Sequence, residues 1–200
     1  MGLSNYANSR YLYLGEDDGS FLCIPRGLLD GVLERCKEAG IPVKIEDLRA
    51  NGRPLDVKFT GELRDNQQMA VNAMHPHDCG ILSAATAFGK TVVCSNMIAE
   101  RKISTLILLE SSALIEQWQD ALERFLKFGE EPPEYETKSG RKKRRKSVIG
   151  IVHGPKDTST GIVDIAMAGS LCKKGEFHPR LREYGMVLVD ECHHSASDTL

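Results

Sequence analysis

The chain has 200 residues, 41% hydrophobic and 27% charged, with a formal net charge of −2. These numbers suit one domain of ordinary size, or a small domain joined to part of a larger one, with enough apolar residues for a sizeable core. They exclude a membrane class, since no apolar run approaches the ~20 residues a spanning helix needs, and without a signal-peptide core at the start the expected location is the cytoplasm.

Residues 1–60 read as a small α/β accessory unit. "RYLYLG" and "SFLCIP" are strand-like and are separated by the turn signal "EDDG". "RGLLDGVLERCKEAG" then sets Leu28, Leu29, Val32, Leu33 and Cys36 at helical spacing and stops at Gly40. "IPVKIEDL" and "PLDVKF" supply two further strand candidates. No catalytic constellation occurs here, and Arg49, Arg53 and Lys58 read as solvated charges.

From "GELRDNQQMAVNAM" onward strands and helices alternate, which predicts a parallel sheet with helices on both faces. "CGILSA", residues 79–84, is short, apolar and partly β-branched, and reads as a buried strand. It runs into "SAATAFGKTVV", whose Gly89, Lys90 and Thr91 have the chemistry of a phosphate loop: close backbone approach, positive charge and a hydroxyl for Mg2+. Glycine is expected at Ala84 in that template. The helix "KTVVCSNMIAER" follows, with Val92, Met97 and Ile98 placed to cover one face, so its N-terminus aims free N–H groups at an anion. Taken alone, the loop also fits an ordinary strand-to-helix turn with a surface lysine.

"TLILLE" reads as a strand and "ALIEQWQDALERFLKF" as an amphipathic helix with Leu114, Trp118, Ala121, Leu122 and Phe125 on one side, which makes Trp118 a packing residue. Residues 129–147, "GEEPPEYETKSGRKKRRKS", read as a flexible, poorly ordered charged insertion. Seven of the 26 basic residues fall between Lys138 and Lys146, leaving 19 against 28 acidic residues elsewhere. Either the acidic and basic blocks neutralise each other, or the basic run contacts a phosphate backbone. "VIGIVHG" and "VDIAMAG" are further strands.

"VLVDECHH" ends an apolar run in Asp190 and Glu191, at the carboxyl edge of a strand where open α/β sheets bind ligands. Paired with Lys90, Asp190 can hold the water shell of Mg2+ and Glu191 can orient or deprotonate the attacking water. Cys192 reads as a small buried filler. The six cysteines lack close pairs and read as reduced thiols.

These residues resemble the superfamily 2 helicases and translocases, the DEAD/DEAH-like group. "DECHH" looks like their Walker B box, with His193 its first histidine, and "ATAFGKT" is similar to their Walker A loop, in which Thr86, Ala87, Phe88, Gly89, Lys90 and Thr91 would surround the phosphates. A common helicase variant has alanine at position 84 and glycine at position 87, so Ala87 is the real departure. It would be strained at a φ suited only to glycine. "LRDNQQMAV" is similar to the segment in which a glutamine, here Gln67, reads adenine. "LILLESSALIEQW" and "DIAMAGSL" are similar to the turns that touch the nucleic-acid strand, which implies contacts from Ser111, Ser112 and Ser170. Glu110 and Gly169 depart from the pattern. "IPRG" and "GRPLDVKFTGELR" point to the bacterial defence, primase-associated, repair and restriction-type branch.

The resemblance implies an incomplete RecA-like P-loop NTPase domain over residues 61–200, preceded by the accessory unit, with ATP and Mg2+ as cofactors. The expected partners are nucleic acid, DNA rather than RNA, and a second RecA-like domain that would bring arginines to the transferred phosphoryl group. With the chain stopping at Leu200, it reads as a piece of a larger motor. Two other classes stay open: a degenerate binding module without turnover, which Ala87 favours, and a different P-loop enzyme such as a kinase, which Gln67 and the paired acids disfavour.

Overall fold

The structure is a computed structural model and describes residues 15–17, 19–137, 139–173 and 176–192. Backbone contacts divide the chain into two units, Met1–Asp47 and Leu48–Leu200.

In the first unit β1 (Glu16–Asp17) and β2 (Leu22–Cys23) pair antiparallel. Gly19 sits in the turn at φ 85, where its N–H donates to Asp17 Oδ1 at 2.8 Å. Helix α1 (Leu29–Glu38) ends as its sequence indicates, with Gly40 in the left-handed region and the Ile41 N–H donating to the Cys36 carbonyl. Most of "RYLYLG" lies outside the described residues. "IPVKIEDL" forms no strand: Ile41, Val43 and Ile45 are exposed, and without a pairing partner alternation alone does not hold an extended ladder.

The second unit contains β3 (Val57–Phe59), α2 (Asp65–Met74), α3 (Lys90–Arg101), β4 (Thr105–Leu109), α4 (Leu114–Phe125) and β5 (Leu126–Phe128). After these come β6 (Glu134–Glu136), β7 (Lys142–Arg144), β8 (Ile149–His153), β9 (Lys156–Asp157), β10 (Val163–Met167), α5 (Ala168–Leu171), β11 (Cys172–Lys173), β12 (Glu176–Phe177) and β13 (Met186–Val189). The sequence pattern predicts a first unit of residues 1–60. Here β3 pairs antiparallel with β5, Val57 opposite Phe128, so the segment from Leu48 onward is grouped with the second unit. The same pairing shortens the expected helix of residues 113–128, whose last three residues become β5.

The central sheet has the order β13-β4-β10-β8-β9, parallel throughout its first four strands and closed at one edge by antiparallel β9. The strands read as continuous apolar runs because the inner ones are covered on both faces. Ile107, Leu109 and Ile165 pack with Ile98 of α3 and with Trp118 and Leu122 of α4, while Leu106 and Ala166 pack on the opposite side with Leu171 and Tyr184.

A charged residue lies inside this core. Asp164 is fully buried and accepts hydrogen bonds from the N–H groups of Thr160 and Gly161, the Thr160 hydroxyl and the Tyr184 hydroxyl. Gly150 is its neighbour on β8, and a Cβ there would stand 2.0 Å from Asp164 Oδ1, so the carboxylate fills the space of a missing side chain. The surrounding donors offset the large cost of burying a charge.

Two expectations are corrected. Residues 79–84 form no strand, and Ile81 is 79% exposed. No described strand pairs with this segment, and a strand exists only when a neighbour takes its N–H and C=O groups. Second, residues 129–147 carry an antiparallel hairpin of β6 and β7 in place of an irregular loop. Opposite charges align across it, Glu134 against Arg144 and Glu136 against Lys142, and Gly140 at φ 77 closes the turn with its N–H on the Thr137 carbonyl. No helix among the described residues is long and apolar enough to cross a membrane.

Candidate functional site

The glycine loop is held from behind by the start of α2. Gln67, 3% exposed, accepts from the Arg64 N–H at 2.9 Å and donates through Nε2 to the Phe88 carbonyl at 2.8 Å. The Arg64 guanidinium donates to the same carbonyl and, at 3.5 Å, to that of Ala87. Phe88 packs against Val71, Val93 and Met97, and its N–H closes a turn on the Ala85 carbonyl. Thr86 is exposed at the tip. Gly89 caps α3 at φ 88, and a Cβ there would lie 2.5 Å from Gln67 Nε2. The N–H groups of Gly89, Lys90 and Thr91 have no hydrogen-bond partner among the described residues, as the first turn of a helix requires. Thr91 is half-buried in that turn.

Ala87 has φ 63. The departure noted in the sequence therefore falls at a left-handed position, where a non-glycine residue costs roughly 1–2 kcal/mol. Part of that gain is offset by the ~0.5–1 kcal/mol of extra chain entropy that glycine loses on folding. Ala87→Gly is expected to raise stability by about 0.5–1 kcal/mol, read as a higher urea midpoint at unchanged slope; a lower midpoint would contradict the strained assignment.

The second half of the site comes from the end of β13. The Asp190 N–H continues the ladder by donating to the Leu108 carbonyl at 3.1 Å, which sets its carboxylate just past the strand. Asp190 Oδ2 accepts from the Trp118 indole N–H at 2.8 Å, and Oδ1 accepts from the Glu191 N–H at 3.0 Å. Glu191 turns back in the left-handed region at φ 52. Its Oε1 lies 3.5 Å from Lys90 Nζ, so residues 101 apart in sequence meet. Beneath them the Cys94 thiol is pushed up to about 12, first by burial and then by Asp190, with Lys90 partly opposing. It stays protonated and unreactive at neutral pH.

The helical spacing of Trp118 with Leu114 and Leu122 predicts a packing residue. It does lie in the core, 2% exposed, but its N–H also orients the candidate metal-binding carboxylate, a role that spacing along one helix cannot reveal. Nor does spacing along α2 reveal that Arg64 reaches the loop carbonyls. Trp118→Phe keeps a ring in the core and removes the donor; it is expected to lose about 1.5–3 kcal/mol of stability and to raise the Mg2+ concentration at which ATP affinity is half-maximal. Unchanged metal dependence would restrict Trp118 to packing.

Ser111 and Ser112 are exposed just after β4, and their carbonyls accept from the N–H groups of Leu114 and Ile115. Ser170 follows β10, and its hydroxyl accepts from the Gly154 N–H at 3.0 Å. Strands β4, β10 and β13 are parallel neighbours, so all three serines and the two acids occupy one edge of the sheet. Cys192, expected to be buried, is exposed because the chain has left the sheet at Asp190. His193 and His194 lie outside the described residues. Among the described residues no three His, Cys, Asp or Glu side chains cluster as a metal cage.

Residues 60–200 match the family described as the type III restriction enzyme, res subunit. The chain is also 26% identical over 150 residues to a putative helicase, 161L, of Invertebrate iridescent virus 6, covering 73% of this chain and 31% of that protein. It is 28% identical over 142 residues to the DNA 3'-5' translocase XPB2 of Sulfurisphaera tokodaii, covering 71% and 27%. Against a putative DNA 3'-5' helicase Rad25 of Haloarcula marismortui it is 27% identical over 163 residues, covering 80% and 23%. The chain thus spans less than a third of the length of these curated relatives. With a parallel sheet that carries a glycine loop at the start of one helix and paired acids at a strand end, the chain belongs to the type III restriction res-subunit family and contains the N-terminal RecA-like region of a superfamily 2 helicase.

Proposed function

We propose that this chain binds ATP with Mg2+ and forms the nucleotide-binding part of a motor that couples ATP hydrolysis to movement along DNA. The observation that carries the reading is the meeting of Lys90 and Glu191 across the sheet edge at 3.5 Å. The loop also fits a phosphate: Gly89 holds it at φ 88 with no room for a Cβ beside Gln67, and the three N–H groups of Gly89, Lys90 and Thr91 are without partners among the described residues.

On this reading the N–H groups of Gly89, Lys90 and Thr91 take phosphate oxygens. Lys90 exchanges its contact with Glu191 for the β- and γ-phosphates. The Glu191 carboxylate would orient the attacking water and accept its proton. The Thr91 hydroxyl and the Asp190 carboxylate, fixed by Trp118 and the Glu191 N–H, would hold Mg2+ and its waters. Mg2+ would neutralise charge developing on the phosphates. Gln67 retains one N–H and one lone pair beyond its bonds to Phe88 and Arg64, enough to address adenine. Ser111, Ser112 and Ser170 would touch the nucleic-acid strand, and the names of the Sulfurisphaera and Haloarcula relatives favour DNA. A second RecA-like domain would supply arginines, which in comparable systems are worth roughly 10³–10⁵ in rate. Nucleotide binding without turnover is the second reading, favoured by the left-handed Ala87.

Calorimetry of ATP–Mg2+ with the chain and with Lys90→Ala tests the proposal. Losing a charge-assisted contact of about 1.5–3 kcal/mol should weaken binding roughly 10- to 150-fold. Equal affinities, or no binding by the folded wild-type chain, would defeat it.

A further inference from the structure

The hairpin of β6 and β7 separates its charges by face. Alternation along the strands puts Glu134, Glu136, Lys142 and Arg144 on one side, where Arg144 ion-pairs with both Glu131 and Glu134. That side is neutralised by its own acids. The other side carries Lys143 opposite Tyr135, then Arg141 opposite Thr137, then Arg145, whose guanidinium lies 4.2 Å from the centre of the Tyr135 ring. The Thr137–Arg141 pair is fixed in both directions, Thr137 N–H to the Arg141 carbonyl and Arg141 N–H to Thr137 Oγ1, so the strands keep their register into the turn. No acid among the described residues of the hairpin belongs to this face. Asp157 offers Arg145 only its backbone carbonyl, at 3.5 Å; its carboxylate is ion-paired with Arg180 at 2.8 Å, and against burial, which raises it, hydrogen bonds from Ser159 and Arg180 hold it well below the usual range, at about 2.

We propose that the face formed by Arg141, Lys143 and Arg145 is a binding site for the phosphate backbone of double-stranded DNA. Resting on the reading that this chain acts on DNA, it assigns a contact outside the sheet edge where Ser111, Ser112 and Ser170 lie. Same-face residues on a strand repeat every ~6.6 Å, close to two axial charge steps of ~3.4 Å along one strand of a duplex. Arg141 and Lys143 are exposed and have no ion pair with a described acid, so their binding to phosphate releases counterions without first breaking an ion pair. Arg145 is half-buried against Tyr135 and sets the position of the face.

The test compares two double variants that remove equal charge from opposite faces: Arg141→Gln with Lys143→Gln, and Lys142→Gln with Arg144→Gln. Binding of the 200-residue chain to a fluorescent DNA duplex is followed by anisotropy over a range of salt. Each lost phosphate contact lowers the log–log salt slope by about 0.9. The first pair should therefore lose about 1.8 in slope, equivalent at 0.1 M salt to roughly 60-fold in affinity. The second should stay close to wild type, and the exchange Arg141→Lys with Lys143→Arg should keep the wild-type slope. Equal losses from the two faces would reduce the effect to net charge, and no binding by the wild-type chain would remove the site; either overturns the proposal. ATP–Mg2+ affinity measured on the same samples reports separately on the nucleotide site, so failure of the face and failure of the motor reading are distinguishable.

Discussion

Gly89→Ala is expected to abolish measurable ATP–Mg2+ binding while leaving the sheet intact. Two penalties meet at this position. Alanine at φ 88 costs roughly 1–2 kcal/mol. The new methyl would also stand 2.5 Å from Gln67 Nε2, forcing that buried amide off the Phe88 carbonyl at a further cost of about 1–3 kcal/mol. The loop can relieve both only by leaving the conformation that exposes its N–H groups. Affinity should fall on the order of 10²–10³-fold, more than for Lys90→Ala, which removes one contact and keeps the loop. Calorimetry of the three proteins orders them directly. Wild-type affinity in Gly89→Ala would mean that the loop does not hold the phosphates.

The largest effect on stability is expected at Asp164. Asp164→Ala would strand the N–H groups of Thr160 and Gly161 and the Tyr184 hydroxyl inside the core, and breaking a buried charged network of this kind costs about 3–5 kcal/mol. A urea titration should show a correspondingly lower midpoint, and a loss below about 1 kcal/mol would show that the sheet relaxes around the vacancy. Alkaline pH probes the same network. Burial first, and then the Asp164 carboxylate, raise the Tyr184 phenol above its ordinary value of 10.0. A group raised in the folded state contributes stability that is complete below the unfolded value and declines as pH rises through the folded one. Stability should therefore fall above pH 10, and less so in Tyr184→Phe.

Much of the architecture is legible in the sequence because it is local. The runs that become β4, β8, β10 and β13 are largely apolar, as strands of a parallel sheet covered by helices tend to be, and the helix starting at Lys90 follows from the spacing of Val92, Met97 and Ile98. The candidate site is legible for a similar reason: Gly89, Lys90, Thr91, Asp190 and Glu191 carry chemistry that few other arrangements would use. Residues 79–84 show the limit, since their composition suits a strand but strand formation depends on a neighbour's hydrogen bonds. The hairpin at residues 134–144 fails in the opposite direction, because charge content alone suggests disorder whereas cross-strand register pairs the charges.

By itself, the sequence determined the chemistry present and the order of the sheet-forming runs, because residue type and hydrophobic period act over a few neighbours. Only the tertiary structure decided that Trp118 holds Asp190, that Gln67 and Arg64 brace the loop, and that Ala87 lies at a left-handed φ. Those outcomes depend on which side chains meet across distant elements and on the backbone angle that packing imposes, and neither quantity is encoded in a short window of residues.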